Sequence, residues 1–211
     1  MRSIERVAVL GGGLMGSGIA ESVARTGVPV VVRDVDEAAF EAARGRVEKS
    51  LGRARDGGKI DADEYEEILG RVSYTDRLEA IADADLVVEA VPENADLKAA
   101  ILGQVAGIVS EDALIASNTS SIPIAQLAAG LPRPDRVLGL HFFSPVPVMG
   151  LIEIVVALDT SEETVASAQD FAERVGKRAI ITKDRSGFIV NMLLVPYLMA
   201  AVRMYEEGFA T

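Results

Sequence analysis

The chain has no cysteine, no tryptophan and a single histidine among its 211 residues. Without cysteine it can form no disulfide, supply no thiol nucleophile and bind no metal through thiolates. One histidine leaves too few of the usual ligands for a zinc site, so we expect no metal. These absences direct attention to the one imidazole, His141, because histidine alone titrates near neutral pH unperturbed.

Positive charge and long apolar runs are also scarce. The 21 Lys and Arg residues against 32 Asp and Glu residues give a formal net charge of -11 at pH 7. We therefore expect no nucleic-acid and no anionic-membrane partner, although a few local donors could still hold a small phosphorylated ligand. No apolar run approaches the roughly 18–20 residues that span a bilayer. No signal peptide is visible, so we expect a cytoplasmic protein.

Strands and helices alternate along the chain, which is 49% apolar and 25% charged, as in ordinary globular proteins. This alternation predicts an α/β fold with a mostly parallel sheet covered on both faces, that is, a Rossmann-type doubly wound sheet. A strand over residues 4–10, a GxGxxG turn over 11–16, a helix and a second strand over 28–34 form a βαβ unit. In that context the glycine turn indicates dinucleotide binding.

Each position of the turn has a physical role. Gly11 permits the tight turn, Gly13 leaves room for a pyrophosphate, and Gly16 lets the helix pack close to the sheet. Leu14 and Met15 begin the helix, whose free N–H groups and positive dipole end attract phosphate.

Asp34 ends the second strand, 21 residues after Gly13 (34 − 13). An acid at about this separation accepts hydrogen bonds from the adenosine ribose and favours NAD over NADP. Arg33 precedes it, and because adjacent strand residues point to opposite faces, we expect Arg33 to face away from the ribose.

Polar residues collect where other predicted strands end, which is where open α/β sheets bind ligands. Asn118 and Ser120 follow the strand over 113–117, and His141 lies near the end of the strand over 136–142. Glu153 lies in the next strand among apolar neighbours, where an unpaired carboxylate would be costly. A proline-containing turn could bring it beside His141, as a general base requires.

Five motifs occur in order along the chain: GGGLMGSGIA (11–20), VEAVPE (88–93), SNTSS (117–121), HFFSPVPVM (141–149) and GFIVN (187–191). With these motifs the chain resembles the L-3-hydroxyacyl-CoA dehydrogenase family, including bacterial 3-hydroxybutyryl-CoA dehydrogenases, over essentially its whole length. The resemblance implies an NAD-dependent oxidoreductase that interconverts (S)-3-hydroxyacyl-CoA and 3-oxoacyl-CoA, with short-chain substrates.

The resemblance also implies roles for individual residues. His141 would be the general base for the substrate 3-hydroxyl, and Glu153 would orient and charge-stabilise it. Ser120 would bond the reacting oxygen, and Asn191 would help polarise it from the interdomain side.

Further contacts follow from the same resemblance. Glu93 and Lys98 would contact the nicotinamide ribose, with Asn118 nearby. Ser50, together with Arg53 or Arg55, would contact the CoA moiety.

Two substitutions and the chain length depart from the family pattern. Ser144 replaces a common asparagine and Gly150 a frequent lysine, which bears on substrate identity. Residues 1–186 would form the NAD-binding domain, and residues 187–211 the first helix of a truncated, all-α dimerisation domain that makes the full-length form a homodimer. The apolar character of that last segment predicts burial against a partner subunit or a further domain.

Two alternatives stay open. The weak basic patch around the CoA-facing helix is compatible with a related dehydrogenase that acts on an acyl-carrier-protein thioester. A non-catalytic NAD-binding relative is the other alternative, against which the joint presence of Ser120, His141, Glu153 and Asn191 argues.

Overall fold

The computed structural model describes residues 3–211, and these residues form one eight-stranded sheet with helices on both faces. The strands are β1 Val7–Leu10, β2 Val30–Arg33, β3 Val72–Thr75, β4 Leu86–Glu89, β5 Leu114–Ser117, β6 Val137–Phe142, β7 Leu151–Val156 and β8 Arg178–Lys183. The α-helices are α1 Leu14–Ala24, α2 Glu37–Asp56, α3 Ala62–Gly70, α4 Ala95–Ala106, α5 Ile124–Ala128, α6 Glu162–Arg174 and α7 Val190–Glu206.

The strand order is β3-β2-β1-β4-β5-β6-β7-β8. The first six strands run parallel, β7 runs antiparallel to β6, and β8 is parallel to β7. Every residue of β1, β4, β5 and β6 is buried, which explains their nearly continuous apolar sequences. The predicted doubly wound, mostly parallel fold is confirmed, and its chain order reverses between β1 and β4.

Some element boundaries differ from those that the apolar pattern predicts, because backbone geometry sets them. The apolar run over residues 85–91 predicts a long strand, but β4 ends at Glu89, because the chain turns there against the glycine loop. The pattern over residues 77–82 predicts a short helix, and the structure has a 3-10 turn there, Leu78–Ile81. The apolar residues 179–181 predict a short strand, and β8 is longer because all six of its residues pair with β7.

The hairpin of β6 and β7 is the one antiparallel connection among the described strands. Its register pairs His141 directly with Glu153. The loop between them contains a cis peptide bond at Ser144–Pro145. The expected return of Glu153 to the imidazole is therefore confirmed.

Helix α7 lies on the outside of the described structure. None of its residues is buried, and Leu193 and Tyr197 are among its exposed apolar side chains. The burial that its composition predicts is therefore not supplied by residues 3–211. Within that range, no helix combines the length and hydropathy needed to cross a membrane.

Two glycines provide a matched test of the packing between α1 and the glycine loop. A Cβ at Gly16 would lie 1.8 Å from the carbonyl oxygen of Gly11, whereas one at Gly45, inside α2, would meet nothing within 4 Å. We expect Gly16→Ala to lower the free energy of unfolding by about 1–3 kcal/mol. Gly45→Ala should raise it by about 0.5–1 kcal/mol through helix propensity. Urea denaturation of both variants measures this, and equal effects would contradict the packing.

Candidate active site

A crevice at the carboxyl ends of the strands opens where the sheet order reverses. A cavity of about 540 Å³ lies there, between the ends of β1, β2 and β4. Its lining includes all but one of the predicted cofactor residues of the glycine loop and β2, namely Gly11, Gly13, Leu14, Met15 and Asp34. Gly16 instead packs beneath it, against the backbone of Gly11.

The cavity fits a dinucleotide at the two points that matter most. A Cβ built on Gly13 would point into open space, so this position leaves a cradle against the start of α1. Asp34 is fixed beside it, because its Oδ2 accepts from the Gly12 N–H at 2.7 Å and its Oδ1 from the Val35 N–H at 2.8 Å. The carboxylate is therefore held at the edge of the cavity rather than free to turn away.

Arg33 is the last residue of β2 and precedes Asp34 directly. It borders the same cavity as Asp34, and its Nε donates to the carbonyl oxygen of Asp76 at 3.2 Å. Arg33 is paired with Leu10 and Thr75 in the sheet. The expectation that Arg33 faces away from the ribose stays a prediction.

Three side chains form a hydrogen-bonded row. The Ser120 Oγ lies 3.0 Å from His141 Nε2, and His141 Nδ1 lies 2.6 Å from Glu153 Oε2. His141 and Glu153 are buried, and Phe143 and Phe188 pack edge-on against the imidazole. With Glu153 ionised and the imidazole neutral, the ring proton lies on Nδ1, so Nε2 accepts the hydrogen bond that Ser120 Oγ donates.

The second carboxylate oxygen of Glu153 holds the start of α7. Glu153 Oε1 accepts from the backbone N–H groups of Ile189 and Val190, both at 2.9 Å. The chain reaches this point through Phe188, a buried residue with φ of +48°. Asn191 follows in the first turn of α7. The helix that carries this predicted polarising amide is therefore bonded to the same carboxylate as His141.

Asn118 connects the strands that carry Ser120 and His141. Its Oδ1 accepts from the Phe142 N–H at 2.9 Å, and the residue is buried. This hydrogen bond links the two segments beyond the end of β5, where β6 continues. Asn118 therefore fixes the separation between the serine loop and the histidine strand.

Glu93 accepts hydrogen bonds from the hydroxyl-rich segment after β5. Its Oε1 accepts from the Ser120 N–H at 3.0 Å, from Ser121 Oγ at 3.1 Å and from Thr119 Oγ1. Burial opposes ionisation of this carboxyl, but the bonds from Thr119 and Ser120 and the ammonium of Lys98 outweigh it and lower the pKa of Glu93. The Glu93 side chain is 42% exposed.

Behind Glu93 lies a buried charged group that the apolar strand pattern concealed. Glu89 is fully buried at the end of β4, and its Oε1 accepts from Lys98 Nζ at 2.7 Å and from the Val91 N–H at 2.7 Å. Its Oε2 accepts from Ser117 Oγ at 2.6 Å. An acid in a central, doubly covered strand needs such partners, and this requirement was the available sequence signal.

A second cavity, of about 200 Å³, lies between α1, α2 and the loop after His141. Ser50 and Arg53 line it together with Arg46 and Lys49. Arg55 lies elsewhere, because its guanidinium stacks 4.7 Å from the centre of the Tyr65 ring. Of the two predicted arginines, Arg53 therefore borders this cavity.

Lys177 holds the loop that forms one wall of the second cavity. No sequence pattern predicts this role. Its Nζ donates to the carbonyl oxygens of Val146 at 2.6 Å and Met149 at 2.8 Å. Burial lowers the pKa of this ammonium.

Among residues 3–211, no group of three or more acidic, cysteine or histidine side chains is arranged to hold a metal ion.

A doubly wound sheet with a glycine loop at the point where the strand order reverses is an architecture that NAD-dependent oxidoreductases use. Residues 6–185 match the family described as "3-hydroxyacyl-CoA dehydrogenase, NAD binding domain". A 3-hydroxybutyryl-CoA dehydrogenase of Mycobacterium tuberculosis is 50% identical over 99% of this chain and 74% of its own length. The chain belongs to the 3-hydroxyacyl-CoA dehydrogenase family.

Other relatives and solved structures agree. The mitochondrial hydroxyacyl-coenzyme A dehydrogenase of Sus scrofa is 42% identical over 99% of this chain and 68% of that protein. The crystal structure of M. tuberculosis FadB2 superposes with a TM-score of 0.98 at 49% identity, over 100% of this chain and 74% of that one. A (S)-3-hydroxybutyryl-CoA dehydrogenase from Ralstonia eutropha gives a TM-score of 0.96 at 41% identity, over 99% and 74%.

Gly13 allows the cradle to be tested apart from folding. Its φ of -63° suits any L-residue, and a Cβ would meet no protein atom within 4 Å. Gly13 is the N-cap of α1, where Val is less favourable than Gly, so we expect Gly13→Val to lower the free energy of unfolding by only about 1 kcal/mol. The same variant should weaken NADH binding at least about tenfold, because the side chain fills the phosphate space. Fluorescence titration with NADH measures the affinity, and unchanged binding would contradict the cradle.

The lowered pKa of Glu93 predicts a pH-dependent stability. A carboxyl whose folded-state pKa is lowered stabilises the fold above its unfolded value of about 4.3, and that contribution is lost as the pH falls through the folded pKa. Glu93→Gln should therefore be less stable than the parent at neutral pH, and the difference should shrink below about pH 4. Urea denaturation across this range tests it, and a difference independent of pH would count against the assignment.

Proposed function

We propose that this protein interconverts (S)-3-hydroxyacyl-CoA and 3-oxoacyl-CoA with NAD, and that its substrates are short, such as 3-hydroxybutyryl-CoA and acetoacetyl-CoA. The observation that carries the proposal is the row of Ser120, His141 and Glu153 at the strand ends next to the dinucleotide cavity. The names of the M. tuberculosis and R. eutropha relatives support the short acyl chain.

The cofactor contacts follow from the cavity. The start of α1 at Leu14 and Met15 would hold the pyrophosphate over Gly13, and Asp34 would accept from the adenosine ribose. The side chain of Glu93 is partly exposed and would reach the nicotinamide ribose. NAD, when bound, supplies the hydride acceptor of the oxidation and its reduced form the hydride donor of the reverse reaction.

His141 moves the proton. In the oxidation, Nε2 takes the proton of the substrate 3-hydroxyl as hydride leaves C3, and in the reduction the imidazolium returns it. Glu153, already bonded to Nδ1 at 2.6 Å, stabilises the imidazolium and holds the tautomer that keeps Nε2 free to accept. Phe143 and Phe188 restrict water around the ring.

Ser120 and Asn191 hold the reacting oxygen between them. Ser120 Oγ is already within hydrogen-bond distance of Nε2, so a substrate hydroxyl bound there would meet both groups. Asn191 would donate from the first turn of α7 and polarise the 3-oxo group in the reduction. The bonds from Ile189 and Val190 to Glu153 support this placement of the helix.

The thioester handle is assigned to the second cavity. Arg46, Lys49 and Arg53 surround it with positive charge in an otherwise acidic protein, and Ser50 adds a hydroxyl. These donors suit a phosphate-bearing group such as that of CoA. A carrier-protein thioester also presents a phosphate, so that alternative stays a prediction.

Three further expectations also stay predictions. The division into residues 1–186 and 187–211 is supported by the family match over 6–185. Homodimer formation is supported by the exposed apolar side chains of α7. A cytoplasmic location is the third.

His141→Gln tests the mechanism. Gln fills the space but cannot exchange a proton, so turnover of acetoacetyl-CoA with NADH should fall at least about 1000-fold, while NADH affinity stays within about twofold. The assay follows NADH absorbance, on this chain and on a form extended by the segment that its relatives carry.

The outcomes separate the candidate functions. Undiminished turnover in His141→Gln would overturn the assigned base. NADH binding without turnover in the parent and in its extended form would favour the non-catalytic relative. A much higher efficiency with acetoacetyl-carrier protein than with acetoacetyl-CoA would favour the carrier-protein enzyme.

A further inference from the structure

Lys177 is a buried cation that the proposed proton transfer does not use. It is 9% exposed, and its Nζ donates to the carbonyl oxygens of Val146 at 2.6 Å and Met149 at 2.8 Å. Burial of an ammonium is costly unless such bonds offset it. An apolar side chain of similar length would avoid that cost, so the charge at this position indicates a use.

The backbone on either side of Lys177 is held in place. The Lys177 N–H donates to the carbonyl oxygen of Ala172 in α6 at 2.8 Å, and the next N–H, that of Arg178, donates to the Gly150 carbonyl oxygen at 2.7 Å. Arg178 is also paired with Leu151 in the sheet. The ammonium therefore extends from a fixed point between the end of α6 and the start of β8.

The segment that Lys177 holds, residues 145–149, is a turn. Within it the N–H groups of Val148 and Met149 both donate to the Pro145 carbonyl oxygen, at 2.9 Å and 3.0 Å. Lys177 adds two bonds from a charged donor to other carbonyl oxygens of the same segment. Loss of the ammonium would remove both of them and loosen the 145–149 turn.

The 145–149 turn is a wall shared by two adjoining cavities. Pro145 and Pro147 border both the second cavity, of about 200 Å³, and a further one of about 320 Å³. The two cavities together form the handle tract. On its inner side the turn packs against α1, where a Cβ on Gly18 would lie 2.9 Å from Val146 Cβ. A shift of the turn would therefore change the shape of the whole handle tract.

Positive side chains border both halves of the handle tract. They are Arg46, Lys49, Arg53 and Lys59. The acid that borders both halves, Glu21, is paired with Arg25 at 2.8 Å. Cations spread over two cavities suit a handle with several phosphates, such as the nucleotide of CoA, better than one with a single phosphate.

We infer that Lys177 is a positioning residue for substrate specificity: it holds the 145–149 turn as a wall of the handle tract, and the protein thereby favours CoA thioesters over thioesters that lack a nucleotide. Lys177 acts through the turn, because its ammonium is buried and bonded to backbone carbonyl oxygens. It takes no part in proton or hydride transfer. The inference rests on the proposed function for the acyl group that reacts.

Two substrates with the same acyl group test the inference. Acetoacetyl-CoA carries the nucleotide, whereas acetoacetyl-N-acetylcysteamine does not. In Lys177→Met the KM for acetoacetyl-CoA should rise about tenfold or more, while kcat stays within about threefold, because the reacting atoms keep their partners. The kcat/KM for acetoacetyl-N-acetylcysteamine should stay within about twofold of the parent value.

Three outcomes would overturn the inference. Equal losses with the two thioesters would make Lys177 a residue of general structural importance. An unchanged KM for acetoacetyl-CoA would show that the handle tract does not depend on it. A loss with acetoacetyl-phosphopantetheine, which carries one phosphate, as large as the loss with acetoacetyl-CoA would remove the preference for a nucleotide.

Two further variants serve as controls. Lys183→Met makes the same exchange at an exposed position of β8 and should change none of the readouts. Gly18→Ala leaves Lys177 in place but pushes Val146, so it should raise the KM for acetoacetyl-CoA and leave acetoacetyl-N-acetylcysteamine unaffected. If Lys177→Met does not fold, Lys177→Gln, which keeps N–H donors without the charge, must still show the selective loss, and its absence would contradict the inference.

Binding of CoA alone separates this inference from the proposed function. In calorimetric titrations, Lys177→Met should raise the Kd for CoA about tenfold and leave the Kd for NADH within about twofold of the parent. If the parent binds CoA but does not turn over acetoacetyl-CoA, the proposed function fails and the calorimetric comparison decides the inference. A parent that turns over both thioesters equally well and binds no CoA would retain the chemistry and reject the inference.

Discussion

The carboxylate of Glu153 is the interaction on which the arrangement of the site depends. It is fully buried, and three donors satisfy it: the His141 ring and the N–H groups of Ile189 and Val190. Burial without these partners would cost several kcal/mol, so the histidine strand, the glutamate strand and α7 are held in one geometry together. Removal of any one donor leaves the other two attached to a carboxylate that is no longer fully paired.

Much of the cofactor site could be predicted, because its determinants are local. Gly11, Gly13 and Gly16 lie within six residues, and each marks a place where the backbone needs a glycine. Asp34 follows at the end of the next strand. The mutual approach of His141 and Glu153 could also be anticipated, since a short hairpin leaves few registers open. The roles of Ser120 and Asn191 came from the family resemblance, because no spacing rule brings α7 to the strand ends.

The remaining features depend on tertiary contacts that no local pattern encodes. Glu89 lies in an apolar run that predicts only a buried strand, and Lys98 lies nine residues away on the next helix. Lys177 comes 31 residues after Val146, whose carbonyl oxygen it binds.

The antiparallel return of β6 into β7 separates two properties of the protein. Register alone pairs His141 with Glu153, whereas the intervening loop supplies Ser144, Pro145 and Val146 to the wall of the second cavity. A change in the loop would therefore reshape the second cavity, whereas the ladder of β6 and β7 would still hold His141 opposite Glu153. One hairpin thus contributes to two separate regions of the site.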